Sequence, residues 1–299
     1  MSKAFGGVQA LENVSFDIHE GEIHGVMGEN GAGKSTLMNS LMGLVQPDSG
    51  QIIFQGEVLD LEHTNVKGVL DRGISMVHQE IMPIPELTVA QNIYLGKETT
   101  MGYLGWVDED QLKKQAYQQL QELDVDIDVT RPMKQLSIAE MQMVEIAKAL
   151  SNDAKVIIMD EPTSSLSNTE VNKLFNVIRK QKEQGVTIIY ISHRMEEVFQ
   201  ICDRVTVLRD GHHVDTKPAA ELTEDQLIQM MVGRPIETVF PSKNREVGEV
   251  LFSVKGLHKK GRFKDISFEV KSGEVLGLAG LIRGRSNGYC TINHGAYNS

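Results

Sequence analysis

Residues 28–36 read GENGAGKST, in which a glycine and four further residues lead to Gly33, Lys34 and Ser35. Glycines let successive backbone N–H groups turn toward one anion, and a helix after the loop adds the positive end of its dipole. The Lys34 ammonium is placed to reach the outer phosphates of a nucleoside triphosphate, and the Ser35 hydroxyl is placed to contact Mg2+. The motif predicts a phosphate-binding loop made of Gly28, Glu29, Asn30, Gly31, Ala32, Gly33, Lys34, Ser35 and Thr36.

An acidic pair closes the run KVIIMD at residues 155–160, because Glu161 directly follows Asp160. A continuous apolar run is typical of a central parallel strand, whose carboxyl end lies beside the phosphate loop in a doubly wound sheet. Asp160 is then placed to hold Mg2+ through a water molecule, and Glu161 to polarise the attacking water as general base. The alternative interpretation is a solvated acidic pair that begins a loop.

Three further polar residues stand at the ends of predicted elements. Gln79 follows the apolar run at 74–77, where it can contact Mg2+ or the attacking water, and His193 follows the run at 186–191, where it can hydrogen-bond the γ-phosphate. Each is also compatible with an ordinary surface residue. Ser137 opens the capping box SIAE, which either only caps a helix or also presents its N-terminal amides and hydroxyl to a phosphate.

The elements that must position these residues alternate between strand and helix. Apolar runs at 22–27, 74–77, 155–160 and 186–191 predict buried strands, and helical spacing follows at 37–42 and 171–178. Short connections between such elements predict an α/β fold with a mostly parallel sheet. Further predictions are a strand at 11–18, hairpins near 52–56 and 210–211, a helical insert at about 85–150, and helix N-caps at Asp108 and Thr223.

A repeat divides the chain. LENVSFDIHEGEIHGVMG at 11–28 returns as FKDISFEVKSGEVLGLAG at 263–280, each residue 252 positions later. The predicted domains are residues 1–233, a polar linker with two prolines at 234–248, and the start of a second, truncated copy at 249–299. The strand predicted at 250–254 has no counterpart before residue 11, so we expect a shortened N-terminus.

Composition narrows the class of protein. The formal net charge of −11 argues against a nucleic-acid partner, which usually requires a basic face. Cys202 and Cys290 are far apart and have neither zinc-site nor disulfide-framework spacing. No apolar run approaches 18 residues, so any membrane role is expected to pass through a partner.

Five segments in the same order resemble those of ATP-binding-cassette ATPases. They are GENGAGKST at 28–36, Gln79, LSIAE at 136–140, IIMDEPTSSLS at 157–167 and ISH at 191–193. Within that family, MQMVEIAKALS and YISHRMEEVFQICDRVTVLRDG look similar to the ATPases of monosaccharide importers, of the galactose/methyl-galactoside or ribose type. Those proteins carry two cassettes in tandem, in agreement with the repeat.

The resemblance implies a P-loop NTPase cassette with a mostly parallel sheet, an antiparallel β part and a helical subdomain. It implies ATP and Mg2+, with ATP held between the loop of one cassette and the signature of a second cassette or homodimer. Lys34, Glu161, His193 and Gln79 would be catalytic, Ser35, Gln79 and Asp160 would hold metal, Phe5 would stack on adenine and Ser137 would be the signature serine. Its partners would be membrane permease subunits and, through them, a sugar-binding protein, at the cytoplasmic face of the inner membrane.

Two segments depart from the family pattern. The signature LSIAE lacks the usual paired glycines, and residues 281–286 read LIRGRS where a second phosphate loop is expected, which suggests a frameshift or truncation. Two other interpretations stay open. One is a cassette ATPase of translation or repair, although this acidic chain shows no basic or coiled-coil insertion, and the other is an inactive nucleotide-binding remnant.

Overall fold

The computed structural model describes residues 1–60, 65–79, 82–98, 100–101, 106–151, 153–164, 166–233, 248–259 and 263–277. The chain divides into two units, Met1–Ile236 and Glu237–Ser299. The predicted linker at 234–248 lies outside the described residues except for Gly248, and so does the segment at 278–299.

The elements of the first unit alternate as the sequence predicts. In chain order, the elements up to residue 77 are β1 (Lys3–Phe5), β2 (Val8–Leu11), β3 (Ile23–Met27), α1 (Lys34–Leu41), β4 (Ile53–Phe54), β5 (Glu57–Val58), α2 (Val66–Leu70) and β6 (Ile74–Val77). The middle part holds α3 (Val89–Ile93), β7 (Thr100–Met101), β8 (Trp106–Val107), α4 (Glu109–Glu122), a 3-10 turn (Met133–Gln135) and α5 (Ile138–Leu150). The last part holds β9 (Val156–Asp160), α6 (Asn168–Glu183), β10 (Thr187–Ile191), α7 (Met195–Ile201), β11 (Arg204–Arg209), β12 (His212–Pro218), a 3-10 turn (Ala219–Glu221) and α8 (Glu224–Val232).

One six-stranded sheet organises this unit, in the order β12-β11-β3-β10-β9-β6. Five of these strands run parallel, and only β12 pairs antiparallel with its neighbour. The predicted α/β class with a mostly parallel sheet is confirmed. Two short antiparallel pairs, β1 with β2 and β4 with β5, agree with the antiparallel part that the resemblance implies.

Alternate residues of the central strands enter two apolar cores. Ile157 and Met159 of β9 pack with residues of α3 to α7, whereas Ile158 between them packs with residues of α1 and α2. Residues of β10 alternate in the same way, because successive side chains of a strand point to opposite faces. The sheet is therefore covered on both faces, which explains why its strands read as continuous apolar runs.

The middle part, residues 85–150, is mainly helical but includes the β7–β8 hairpin, which the sequence pattern did not indicate. Asp108 caps α4 by accepting from the Gln111 N–H at 3.0 Å, and Thr223 caps α8 within a capping box. Among the described residues, no helix combines the length and apolar character needed to cross a bilayer.

The strand predicted at 11–18 is wrong, because β2 ends at Leu11 and residues 12–20 contain no strand. Val14 and Met1 exchange two backbone hydrogen bonds, of 2.9 and 2.7 Å, but no strand within the described residues continues beside Phe16 and Ile18. A strand requires such a partner, since its backbone groups are satisfied only in a ladder. β1 (Lys3–Phe5) does precede residue 11, but the positions that match 250–254 would fall before it, so the expectation that this strand has no counterpart in the first copy stays a prediction.

The second unit contains an antiparallel pair, β13 (Val250–Lys259) and β14 (Phe263–Lys271). The strand predicted at 250–254 lies within β13. Residues 263–271 of the repeat thus form β14, whereas most of the matching residues 11–19 form no strand.

Candidate nucleotide site

Four strand ends meet at one edge of the sheet. Because β3, β10, β9 and β6 are parallel neighbours, their carboxyl ends lie side by side. The phosphate loop follows β3, His193 follows β10, the pair Asp160 and Glu161 closes β9, and Gln79 follows β6. Ligands in open α/β sheets bind outside this edge.

The phosphate loop is shaped by glycines that the structure requires. Gly33 is the N-cap of α1 with φ 99°, and Gly31 has φ 87°, both in the region that L-residues rarely adopt. A Cβ on Gly33 would lie 2.6 Å from the Ala10 carbonyl oxygen and 2.7 Å from Leu11 Cδ2. The loop therefore packs directly on β2, with no room for a larger residue.

Lys34 curls back over the loop that precedes it. Its Nζ donates to the carbonyl oxygens of Gly28 at 2.8 Å and Glu29 at 3.1 Å, and the residue is 7% exposed. Burial lowers the pKa of the Lys34 ammonium, and the nearby charges of Glu161 and Asp160 partly oppose that shift. A bound phosphate would add negative charge beside this ammonium and favour its protonated form.

Glu161 is held between the two residues predicted beside it. Gln79 Nε2 donates to Glu161 Oε2 at 3.1 Å, and His193 Nδ1 lies 3.0 Å from Glu161 Oε1. The backbone N–H of Glu161 donates to the Ile191 carbonyl at 3.0 Å, which links the ends of β9 and β10. The φ of Glu161 is 46°, in the left-handed region that costs an L-residue free energy.

Asp160 has a different electrostatic setting. Burial raises the pKa of Asp160, the neighbouring Glu161 adds to this shift, and the Lys34 ammonium counters it. A cation at this carboxylate would relieve the repulsion between the two acids. The acidic pair is therefore suited to a site that also holds positive charge.

A cavity of about 880 Å³ gathers most of the predicted residues. Its walls include Gly28, Glu29, Asn30, Gly31, Gly33, Lys34, Ser35, Thr36, Gln79, Asp160, Glu161 and His193. Ala32, although predicted with them, does not line the cavity; it is 4% exposed and packs in the core with α1.

Phe5 and Ser137 are not among the residues that line this cavity. Phe5 belongs to β1, is 48% exposed and has the Lys3 Nζ 5.3 Å from its ring centroid. Ser137 caps α5: its Oγ accepts from the Glu140 N–H at 3.2 Å, and its own N–H donates to Glu140 Oε2 at 2.7 Å. The structure therefore shows that Ser137 caps a helix. Its expected contact with a phosphate bound to a second cassette stays a prediction.

Two cavity residues, Ala10 and Met231, were not predicted. Ala10 comes from β2 and Met231 from α8, so an early strand and the last helix of the unit both reach the site. Neither residue type carries chemistry, and their sequence positions gave no signal. The hairpin and the last helix bring them there.

The residues fit a magnesium ion that is bound together with phosphates. Among the residues that the structure describes, no group of three or more His, Cys, Asp and Glu could hold a metal by itself. Mg2+ commonly uses one or two protein ligands and completes its shell with water and substrate phosphates. Ser35, Gln79 and Asp160 line one cavity with the phosphate loop and offer such a partial set.

The curated relatives of this chain share one kind of printed name, that of sugar import ATP-binding proteins. A 52% identical protein of Geobacillus kaustophilus (strain HTA426), a "Putative ribose/galactose/methyl galactoside import ATP-binding protein", matches over 94% of this chain and 56% of its own length. The "Galactose/methyl galactoside import ATP-binding protein MglA" of Escherichia coli (strain K12) is 49% identical over 94% of this chain and 55% of its own length. The chain spans about half the length of the curated relatives that it matches.

The solved structures that this chain resembles are ATP-binding cassettes. The ADP conformation of an ATP-binding cassette of an ABC transporter has a TM-score of 0.68 and 26% identity, covering 78% of this chain and 96% of its own. A dimeric post-hydrolysis cassette bound to ADP and Pi has a TM-score of 0.62 and 26% identity, covering 73% and 95%. The sequence model of the family described as "ABC transporter" matches residues 11–164. With this match and the phosphate loop at the sheet edge, the chain belongs to the ABC transporter family and carries its ATP-binding cassette.

Proposed function

We propose that this chain hydrolyses ATP and is the energising subunit of an importer for a simple sugar. The observation that carries the hydrolytic part is the Glu161 carboxylate, which lies between Gln79 and His193 at the edge occupied by the phosphate loop. The printed names of the relatives support the sugar, of the galactose/methyl-galactoside or ribose class.

The phosphates bind to the loop at 28–36. Its backbone N–H groups and the start of α1 supply donors and positive potential, and the buried Lys34 supplies a full charge. Ser35, Asp160 and Gln79 would hold Mg2+, which neutralises the phosphate charge when it is bound.

The chemical step uses Glu161 as the general base. Its carboxylate takes a proton from water while the water oxygen bonds to the γ-phosphorus and the bond to the leaving ADP oxygen breaks. The Gln79 and His193 contacts orient the carboxylate, and His193 is also placed to donate to the γ-phosphate.

Residues 1–233 form the first cassette in this proposal, and residues 249–299 begin a second one after the linker at 234–248. The loop of the first cassette works with the signature of a second cassette or of a second copy of this chain. Ser137 is the corresponding signature residue, and Phe5 is the proposed adenine contact. The partners are permease subunits at the cytoplasmic face of the membrane and, through them, a sugar-binding protein.

The test is Mg2+-dependent ATP turnover by the 299-residue chain over a range of protein concentrations, with Glu161→Gln as the control. We expect Glu161→Gln to retain ATP binding but lower turnover about 10²- to 10⁴-fold, because an amide cannot accept the proton. A rate that rises faster than linearly with concentration, and is lost in this variant, supports catalysis by two copies.

Two outcomes would change the proposal. Turnover retained by Glu161→Gln would remove the general-base role. ATP binding without turnover above this variant would identify a half-site that depends on another cassette.

A further inference from the structure

A buried carboxylate lies beneath the two loops that carry Glu161 and His193. Glu197 is in α7, is 6% exposed, and its Oε2 accepts hydrogen bonds from three hydroxyl groups, each at 2.9 Å. The donors are Thr163, Tyr190 and Ser192. A buried charge is costly unless it is hydrogen-bonded, and this one has an unusually complete set of donors.

Two of the three donors belong to the loops of the proposed site. Thr163 is two residues after Glu161, and Ser192 directly precedes His193. The Ser192 Oγ also accepts from the Arg194 N–H at 3.0 Å, so this hydroxyl fixes the turn around His193. One carboxylate oxygen thus joins the segment after the general base to the segment before the histidine.

The remaining contacts of Glu197 anchor it in place. Its Oε1 lies 3.2 Å from Arg194 Nη1, an ion pair between the N-cap of α7 and its first turn. Burial and the charge of Glu197 raise the pKa of Tyr190, so the phenol stays protonated and continues to donate. Tyr190 lies inside β10 and belongs to neither loop, which makes its hydroxyl a matched internal control.

The same two loops also meet on the side of the cavity. Glu161 N–H donates to the Ile191 carbonyl at 3.0 Å, and His193 Nδ1 lies 3.0 Å from Glu161 Oε1. The Glu197 contacts therefore close a ring: from Thr163 through the carboxylate to Ser192, and from His193 back to Glu161. Displacing either loop would move the general base and the histidine relative to each other.

We propose that Glu197 is a positioning residue for ATP hydrolysis, which fixes the separation of Glu161 and His193 by joining Thr163 and Ser192 while touching no nucleotide. This inference rests on the proposed function. The hydrogen bonds and the ion pair that Glu197 makes among the described residues do not involve the phosphate loop, so we expect its loss to affect turnover more than ATP binding. Catalytic groups must be held to within a fraction of an ångström, which makes such a support consequential.

The experiment removes one hydroxyl donor at a time, since deleting the carboxylate itself endangers folding. Thr163→Val and Ser192→Ala each remove a loop contact, whereas Tyr190→Phe removes the equidistant contact from the strand. Ser192→Ala also removes the acceptor of the Arg194 N–H, so the decisive comparison is Thr163→Val against Tyr190→Phe. All three leave the same buried oxygen short of one donor. We measure kcat, the ATP dissociation constant, and amide hydrogen exchange at residues 163–164 and 192–194 without nucleotide.

We expect Thr163→Val and Ser192→Ala to lower kcat about ten- to a hundredfold, the effect of a small misplacement, with the ATP dissociation constant changed less than about twofold. Amide exchange should rise in both loops, including the loop that was not mutated. Tyr190→Phe should keep kcat and loop exchange near those of the parent chain, because it detaches neither loop.

Equal kcat losses and equal loop exchange in all three variants would overturn the proposal, since Glu197 would then serve only general stability. Faster exchange confined to the mutated loop would also overturn it, because the carboxylate would not couple the loops. A parent chain without turnover above Glu161→Gln would refute the proposed ATPase function, and the exchange data would still decide whether Glu197 joins the loops.

Discussion

Replacing Gly33 by alanine tests how closely the phosphate loop must approach β2. The φ of 99° costs an L-residue about 1–2 kcal/mol. The new Cβ would also lie 2.6 Å from the Ala10 carbonyl oxygen and 2.7 Å from Leu11 Cδ2, and such overpacking costs about 1–3 kcal/mol. Gly33→Ala should therefore lower the free energy of unfolding by about 2–5 kcal/mol.

Gly31→Ala is the matched control, because Gly31 has a similar φ of 87° but a Cβ added there would meet nothing within 4 Å. This variant should lose only the conformational part, about 1–2 kcal/mol. Urea-induced unfolding followed by far-ultraviolet circular dichroism gives both values, and ATP affinity is measured on the same samples. Equal losses of stability in the two variants would refute the close approach as the reason for glycine at position 33.

Three further predictions concern other parts of the first unit. Burial lowers the pKa of His24, although the Glu22 carboxylate opposes this shift, so the unfolded chain binds more protons than the folded one at acidic pH. The free energy of unfolding should therefore fall as the pH drops below about 6.5, and it should fall less in the His24→Gln variant. Urea unfolding at several pH values measures both curves. Phe5→Ala should change the free energy of unfolding by less than about 0.5 kcal/mol, because the ring is half exposed, but weaken ATP binding about three- to tenfold by calorimetry. Glu140→Gln should increase turnover at high chain concentration, because it removes a negative charge from the helix end that would face phosphate; unchanged turnover would contradict this role.

The central strands could be predicted because their sequence signal is local. VIIM at 156–159 and TIIYI at 187–191 are buried on both faces of the sheet, so their apolar runs have no polar alternation. Their carboxyl ends carry Asp160 and His193, which allowed these residues to be assigned to one edge. The strand order could not be read in the same way, since β3 lies between β10 and β11, which are far away in sequence.

The site residues that escaped prediction have no chemical signature. Ala10 and Met231 reach the cavity from β2 and α8, and only the tertiary arrangement makes them neighbours of Lys34. Glu197 was equally hidden, because an acidic residue in the first turn of a helix is most simply explained by the helix dipole. Its burial and its three hydroxyl donors become visible only in the structure.

The repeated segment shows why a strand pattern is insufficient on its own. Residues 263–271 form β14 opposite β13, whereas most of the matching residues 11–19 form no strand. The alternation of apolar residues is the same in both copies, but only one copy has a long partner strand within the described residues. Strand propensity therefore describes compatibility with a sheet, and pairing decides whether the strand forms.

The start of α5 limits how a second copy of this chain could complete the site. Its capping box uses the Ser137 and Glu140 N–H groups, and the N–H groups of Ile138 and Ala139 make no hydrogen bond among the described residues. An anion directed at those two amides would meet the exposed Ile138 side chain and the Glu140 carboxylate, which Arg131 contacts at 3.1 Å. Paired glycines and a neutral residue would remove both obstacles, so we expect a partner cassette with such a signature to bind phosphate better than this chain binds it in a homodimer.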